Sequence, residues 1–225
     1  MNYKILLFDL DDTLLDFSAN EMNSLTKLFE IHGVPFTNEI FKTYSLVNRK
    51  LWDSYENSEI PLDAVLNTRF SETLSILGET VDGVEWEGEY RKFLGEGCQM
   101  IEGALEVCKQ LSKTHRLFIV TNGVTTTQIN RLKLSGLYEY FEDIFTSQEI
   151  GFQKPAKEFF DYVIEHIKDF NKADVLIIGD SLSTDIKGGN LAGIHTCWMN
   201  PALKVCPKNI TCNYTVSNLR ELLSL

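Results

Sequence analysis

Ile5-Leu6-Leu7-Phe8 is an unbroken apolar run that stops abruptly at Asp9-Leu10-Asp11-Asp12-Thr13. Four residues are too few for a helix. A continuous apolar run of this length suits a strand covered on both faces, as in a parallel sheet. Three carboxylates within four residues at the end of a buried strand are costly, because each gives up water and repels the others. A divalent cation removes that cost, and Mg²⁺ is a hard ion that prefers oxygen ligands. An acidic surface turn is the competing explanation, so the decision falls to the rest of the chain.

Beyond Thr13 the pattern turns helical. Ser18-x-x-Glu21 reads as a capping box ahead of Met22, Leu25, Leu28 and Phe29, with Gly33 and Pro35 as the stop. A second helix is expected from about Thr37 to Tyr55, a third from Pro61 to Gly78 and a weaker fourth near Val84 to Leu94. Four successive helices without an intervening strand read as an inserted bundle over residues 17–95. After Gly95-Glu96-Gly97 strands and helices alternate. Leu117 to Val120, Asp143 to Thr146, Val175 to Ile178, His195 to Met199 and Tyr214 to Val216 are the strand candidates, with helices between them. Pro155 is expected in the first turn of one of these helices, and Gly188 and Gly189 are expected to permit close packing of another. Such alternation predicts a doubly wound parallel sheet, built from residues 1–16 and 96–225.

Composition narrows the function. Of 225 residues, 44% are hydrophobic and 24% charged, an ordinary globular balance with room for a sizeable core. The net charge of −11 argues against a nucleic-acid polymer as partner but permits a small anion in a locally positive pocket. The first apolar run meets Asp9 too soon for a signal peptide, and no segment is long enough to span a membrane, so a cytoplasmic location is expected. Five cysteines, with no C-x-x-C pair or matching histidine spacing, read as buried free thiols rather than disulfides or zinc ligands. The sequons at Asn209 and Asn213 carry weight only in a secreted chain.

Three apolar strands end in polar clusters: Asp9/Asp11, Thr121/Asn122 and Asp180/Ser181. Ligands of open parallel sheets bind at the carboxyl ends of strands, so neighbouring strands would bring these clusters into one crevice, with Lys154 in a loop able to join them. Carboxylates, a hydroxyl and a lysine form a magnesium-phosphate set. In order, Asp9-x-Asp11-x-Thr13, Thr121, Lys154-Pro155 and Gly179-Asp180-Ser181-x-x-x-Asp185 resemble the four motifs of the haloacid dehalogenase superfamily of phosphatases. The resemblance implies a Rossmann-like α/β core with an inserted α-helical cap domain. Val47-Asn48-Arg49-Lys50-Leu51-Trp52, Thr121-Asn122-Gly123, Phe152-x-Lys154-Pro155 and Thr196-Cys197-Trp198-Met199-Asn200 are similar to the branch that acts as pyrimidine nucleotide 5′-monophosphatases.

That resemblance implies roles. Asp9 would be the nucleophile that forms an aspartyl-phosphate, and Asp11 the general acid and base. Mg²⁺ would be held by Asp9, the Asp11 backbone carbonyl and Asp180. Thr121, Asn122 and Lys154 would bind the phosphate, Lys154 also stabilising charge in flight; Asp185 would support the metal's water shell or Lys154. Asn48, Arg49 and Trp52 of the cap are candidates for reading the leaving group, although core packing explains such aromatics as well. The expected substrate is a small phosphorylated metabolite, a nucleoside 5′-monophosphate. A phosphatase of phosphoglycolate or a sugar phosphate, a phosphomutase and a catalytically dead binding module are the alternatives. Dehalogenation is disfavoured by the second carboxylate at Asp11.

Overall fold

A computed structural model describes residues 3–225. The chain divides into two compact units, Met1–Phe17 with Cys98–Leu225, and Ser18–Gly97. The first carries a six-stranded sheet with β1 (Ile5–Phe8), β2 (Arg116–Thr121), β3 (Asp143–Thr146), β4 (Val175–Gly179), β5 (His195–Met199) and β6 (Tyr214–Val216). Every pairing is parallel, in the order β3-β2-β1-β4-β5-β6. Ile5 of β1 lies opposite Arg116 on one side and Val175 on the other. Both faces of β1 are covered, as its uninterrupted apolar run requires. Leu6 and Phe8 enter one core cluster with Val107, Leu111, Leu219 and Leu222, and Ile5 and Leu7 enter another with Phe159, Phe160 and Val163.

The helices follow the sequence pattern, with differences at their ends. In chain order they are α1 (Phe17–Ile31), α2 (Asn38–Glu56), α3 (Leu62–Ile76), α4 (Gly83–Glu96), α5 (Ala104–Leu111), α6 (Thr125–Ser135), α7 (Ser147–Ile150), α8 (Lys157–His166) and α9 (Lys187–Ala192), the last preceded by a π-helical turn at Leu182–Ile186. Ser18 is not the first cap. Helix α1 already begins at Phe17, whose N–H is taken by the Asp12 carboxylate at 3.0 Å, so the acidic loop itself caps the helix. Pro155 lies ahead of α8 rather than in its first turn, and the Lys154–Pro155 peptide bond is cis. Gly189 does permit close packing, since a Cβ there would press on Ile177 and Thr196.

The helical unit has its own core, in which Leu25, Leu28, Phe29, Tyr44, Phe70, Leu74, Trp86 and Tyr90 are buried. Inside it Arg69 donates two hydrogen bonds to the Glu87 carboxylate at 2.7 and 2.8 Å, a fork geometry that compensates two buried charges. Among the described residues no helix is long and apolar enough to cross a membrane.

The cysteines depart from the expectation of five buried thiols. Cys206 and Cys212 form a disulfide, and Cys98 is exposed; Cys108 and Cys197 are buried and free. A bridge six residues apart, inside one surface loop, has no distinctive sequence spacing.

Candidate active site

The strand order reverses beside β1, and the carboxyl ends of β1 and β4 flank that switch point, where open sheets of this type place ligands. Asp9 continues β1, its N–H donating to the Ile178 carbonyl at 2.9 Å, and is buried at 7% exposure. Asp180 follows β4 directly. Thr13 ties the two strand ends together. Its hydroxyl accepts from the Asp180 N–H at 3.1 Å and donates to Asp9 Oδ2 at 3.4 Å. From β5, the Trp198 indole N–H donates to the Asp180 carbonyl at 2.8 Å.

Lys154 enters from the loop ahead of α8 and is fully buried. Its ammonium uses all three donors: Asp9 Oδ1 at 2.7 Å, Asp185 Oδ1 at 2.6 Å and the Val120 carbonyl at 2.8 Å. Burial opposes that charge, but the Asp185 and Asp9 carboxylates outweigh it and hold the lysine above its ordinary pKa. Asn122 fixes the Lys154 main chain from both sides, accepting from its N–H at 2.8 Å and donating to its carbonyl at 2.9 Å. The Asn122 side chain thereby serves the loop that carries the lysine. Asp185 sits in the π-helical turn, fully buried, where its Oδ2 accepts from the Ser181 N–H at 3.1 Å. Gly179 leaves the room: a Cβ there would overlap the Asp185 carboxylate.

Thr121 closes β2, buried, and its hydroxyl accepts from the Gly123 N–H at 3.1 Å and from Gln128 at 3.0 Å. Asp11 lies beyond Asp9, with Arg131 on one carboxylate oxygen and Gln128 on the other at 2.7 Å. Asp9, Lys154, Asp180 and Asp185 are joined by hydrogen bonds through Lys154 and Thr13 at the strand-end rim, and Asp11 and Thr121 are joined through Gln128 at the ends of the neighbouring β1 and β2. Gln128, Arg131 and the linking hydroxyl of Thr13 were not among the expected site residues. A glutamine and an arginine on a polar helix look solvent-facing in sequence, and only their three-residue spacing hints at one face.

The donor set fits a hard divalent cation. Carboxylate oxygens of Asp9, Asp180 and Asp185 lie within 4.8 Å of one another, and Lys154 donates to Asp9 and Asp185. Burial, eased by Lys154 and reinforced by Asp185, Asp180 and Asp11, pushes the Asp9 carboxyl well above its ordinary range. Burial together with Asp185 and Asp12 pushes Asp180 up to about 7. Carboxylates so reluctant to ionise together are the donors that a Mg²⁺ ion stabilises.

The cap candidates lie in the helical unit. The Asn48 amide accepts from Arg69 at 3.2 Å and donates to Glu21 at 3.3 Å. Arg49 is exposed and pairs with Asp53 at 2.9 Å, while Trp52 packs edge-on to Tyr55 with ring centroids 5.7 Å apart.

A parallel sheet with four loops converging on paired carboxylates and a lysine defines a class of hydrolase. The match to the haloacid dehalogenase-like hydrolase family runs over residues 6–199, and the chain belongs to that family. It is 49% identical over 220 residues to the HAD-hydrolase YfnB of Bacillus subtilis, covering 98% of this chain and 94% of that one. A crystal structure of YfnB bound to magnesium superposes with a TM-score of 0.94 over 100% of this chain and 98% of that one, at 48% identity. The chain is also 41% identical to the pyrimidine 5′-nucleotidase PynA of Streptococcus pneumoniae, over 89% of this chain and 85% of that one. Identity to the pyrimidine 5′-nucleotidase YjjG of Escherichia coli is 33%, over 99% and 97%.

Proposed function

We propose that the protein is a Mg²⁺-dependent phosphomonoesterase that hydrolyses nucleoside 5′-monophosphates, with pyrimidines preferred. The observation that carries this reading is the meeting of Asp9, Lys154, Asp180 and Asp185 at one strand-end rim, with Asp11 and Thr121 beside them. Two relatives named pyrimidine 5′-nucleotidases, matched over most of both chains, support the substrate class.

Asp9 attacks phosphorus while the ester P–O bond breaks, and Asp11 gives its proton to the departing alkoxide. Water then attacks the aspartyl-phosphate, Asp11 takes a proton from it, and the Asp9–phosphorus bond breaks to release phosphate. Lys154 holds Asp9 in place and offsets its charge, and Asp185 fixes Lys154. Thr121 offers a hydroxyl to a phosphate oxygen. Asp9, Asp180 and the main-chain carbonyl of Asp11, with Asp185 beside them, would hold a Mg²⁺ ion, which would supply positive charge to offset repulsion between the Asp9 carboxylate and a phosphate dianion. Asn48, Arg49 and Trp52 of the helical unit remain the candidates for leaving-group selection.

Phosphate release from nucleoside 5′-monophosphates, sugar phosphates and phosphoglycolate, with Mg²⁺ and with a chelator, tests the reading. Pyrimidine 5′-monophosphates should lead the series, and turnover should require the metal and vanish in Asp9→Asn. A sugar phosphate leading the series would reassign the substrate. Formation of an isomeric sugar phosphate in place of free phosphate would mark a mutase. Near-wild-type turnover by Asp9→Asn would refute the covalent route.

A further inference from the structure

Helix α6 carries two polar side chains that the reaction scheme leaves unused. Gln128 and Arg131 are 2% and 1% exposed, an unusual fate for such residues, so what they touch matters. The Gln128 amide nitrogen donates to Asp11 Oδ2 at 2.7 Å and to the Thr121 hydroxyl at 3.0 Å. Its amide oxygen accepts from Arg131 at 3.0 Å, and the same guanidinium nitrogen pairs with Asp11 Oδ1. Arg131 thus fixes which way the Gln128 amide faces. A reversed amide would aim oxygen at the Asp11 carboxylate and nitrogen at a cation, losing hydrogen bonds in a buried setting. The guanidinium lies over the Phe17 ring, 5.7 Å from its centroid, and Gly123 makes space for Gln128, since any Cβ there would overlap that side chain.

We propose that Gln128 and Arg131 are positioning residues that orient the Asp11 carboxylate for proton transfer to the leaving oxygen. The proposal rests on the phosphomonoesterase reading, in which Asp11 protonates the leaving oxygen. A nucleoside alkoxide is a poor leaving group and needs that proton. A p-nitrophenolate leaves without it. Since kcat/KM reports only the steps through the first irreversible one, comparing the two esters isolates the acid role from the later attack of water.

The test measures kcat/KM of the whole chain and of Gln128→Ala and Arg131→Met, with Mg²⁺, on uridine 5′-monophosphate and p-nitrophenyl phosphate. Loss of oriented general-acid catalysis lowers rates by on the order of 10²-fold. Arg131→Met should approach that loss on the nucleotide and stay within about threefold of wild type on the aryl ester, while Gln128→Ala, which also gives up the Thr121 hydrogen bond, should lose roughly tenfold more on the nucleotide than on the aryl ester. Equal losses on both esters would assign these residues to general stability and overturn the proposal. So would unchanged kinetics, and so would a rise on the nucleotide, which would mean that the contacts hold Asp11 back. If Arg131→Met does not fold, the smaller Gln128→Ala change carries the comparison alone. Wild-type turnover of both esters, abolished in Asp9→Asn, establishes the underlying reading separately. Its absence overturns that reading and this proposal together, whereas equal losses in a working enzyme overturn this proposal only.

Discussion

Replacing Lys154 with methionine removes a buried charge while nearly preserving volume, so the expected cost is electrostatic. The ammonium makes two charged hydrogen bonds, at 2.7 and 2.6 Å, and one to a carbonyl at 2.8 Å. Charge-assisted bonds of this kind contribute about 1.5–3 kcal/mol each. Against their sum stands the desolvation cost of burying an ammonium, which the variant no longer bears. Removing one partner of a buried pair typically costs about 3–5 kcal/mol, because the other charge is stranded. Asp185, fully buried, is the more deeply buried of the two carboxylates left stranded here, the other being Asp9. Urea unfolding followed by circular dichroism in a chelator should therefore show a loss in that range, a midpoint shift of roughly 1–3 M. Neutralising Asp185 should return part of the loss. Lys154→Met combined with Asp185→Asn should be less destabilised than the two single losses added, by at least about 1 kcal/mol. A loss in Lys154→Met below about 1 kcal/mol, or strict additivity, would refute the view that this lysine is held by buried carboxylates.

Other outcomes follow from the same geometry. Mg²⁺ should raise the melting temperature of the wild-type chain, because a ligand that binds only the folded state stabilises it, and Asp180→Ala should lose most of that increment together with activity. An unchanged magnesium titration would remove Asp180 from the metal site. Gly179→Ala should destabilise by about 1–3 kcal/mol and lower activity, as its methyl group displaces Asp185; full stability would show that the π-helical turn yields freely. With a thiol reagent the native protein should expose Cys98 quickly. Cys108 and Cys197, whose thiols burial pushes up to about 12, should react only on unfolding.

Much of the sheet was legible because its strands are buried on both faces. Runs such as Ile5–Phe8 and Val175–Ile178 carry that environment in their composition, and period-two alternation is not needed to find them. Helix ends were less legible where the cap comes from tertiary structure. Asp12 reaches forward to the Phe17 N–H, so the local Ser18 signal loses. Asp185 stands in motif order, but nothing local shows that a π-helical turn carries it inward to Lys154. Arg131 was missed for a related reason: charged side chains on helices ordinarily face water, and its burial depends on the carboxylate of Asp11 and the ring of Phe17, both far away in sequence. The Cys206–Cys212 bridge depends on a loop path that composition does not encode.

The central placement of β1 has a consequence for biosynthesis. Ile5 finds one neighbour at Arg116 and the other at Val175, so β1 is made well before the two strands that enclose it. As the chain leaves the ribosome, an apolar segment ending in carboxylates can pair with β2 first and waits for its second neighbour until β4 has emerged. Closing such long loops is slow, and an unpaired strand edge invites aggregation meanwhile. Chains truncated before Val175 should retain β1 and β2 yet lack the second wall of the site, so nascent fragments would accumulate as inactive, chaperone-dependent species until synthesis passes Asp185.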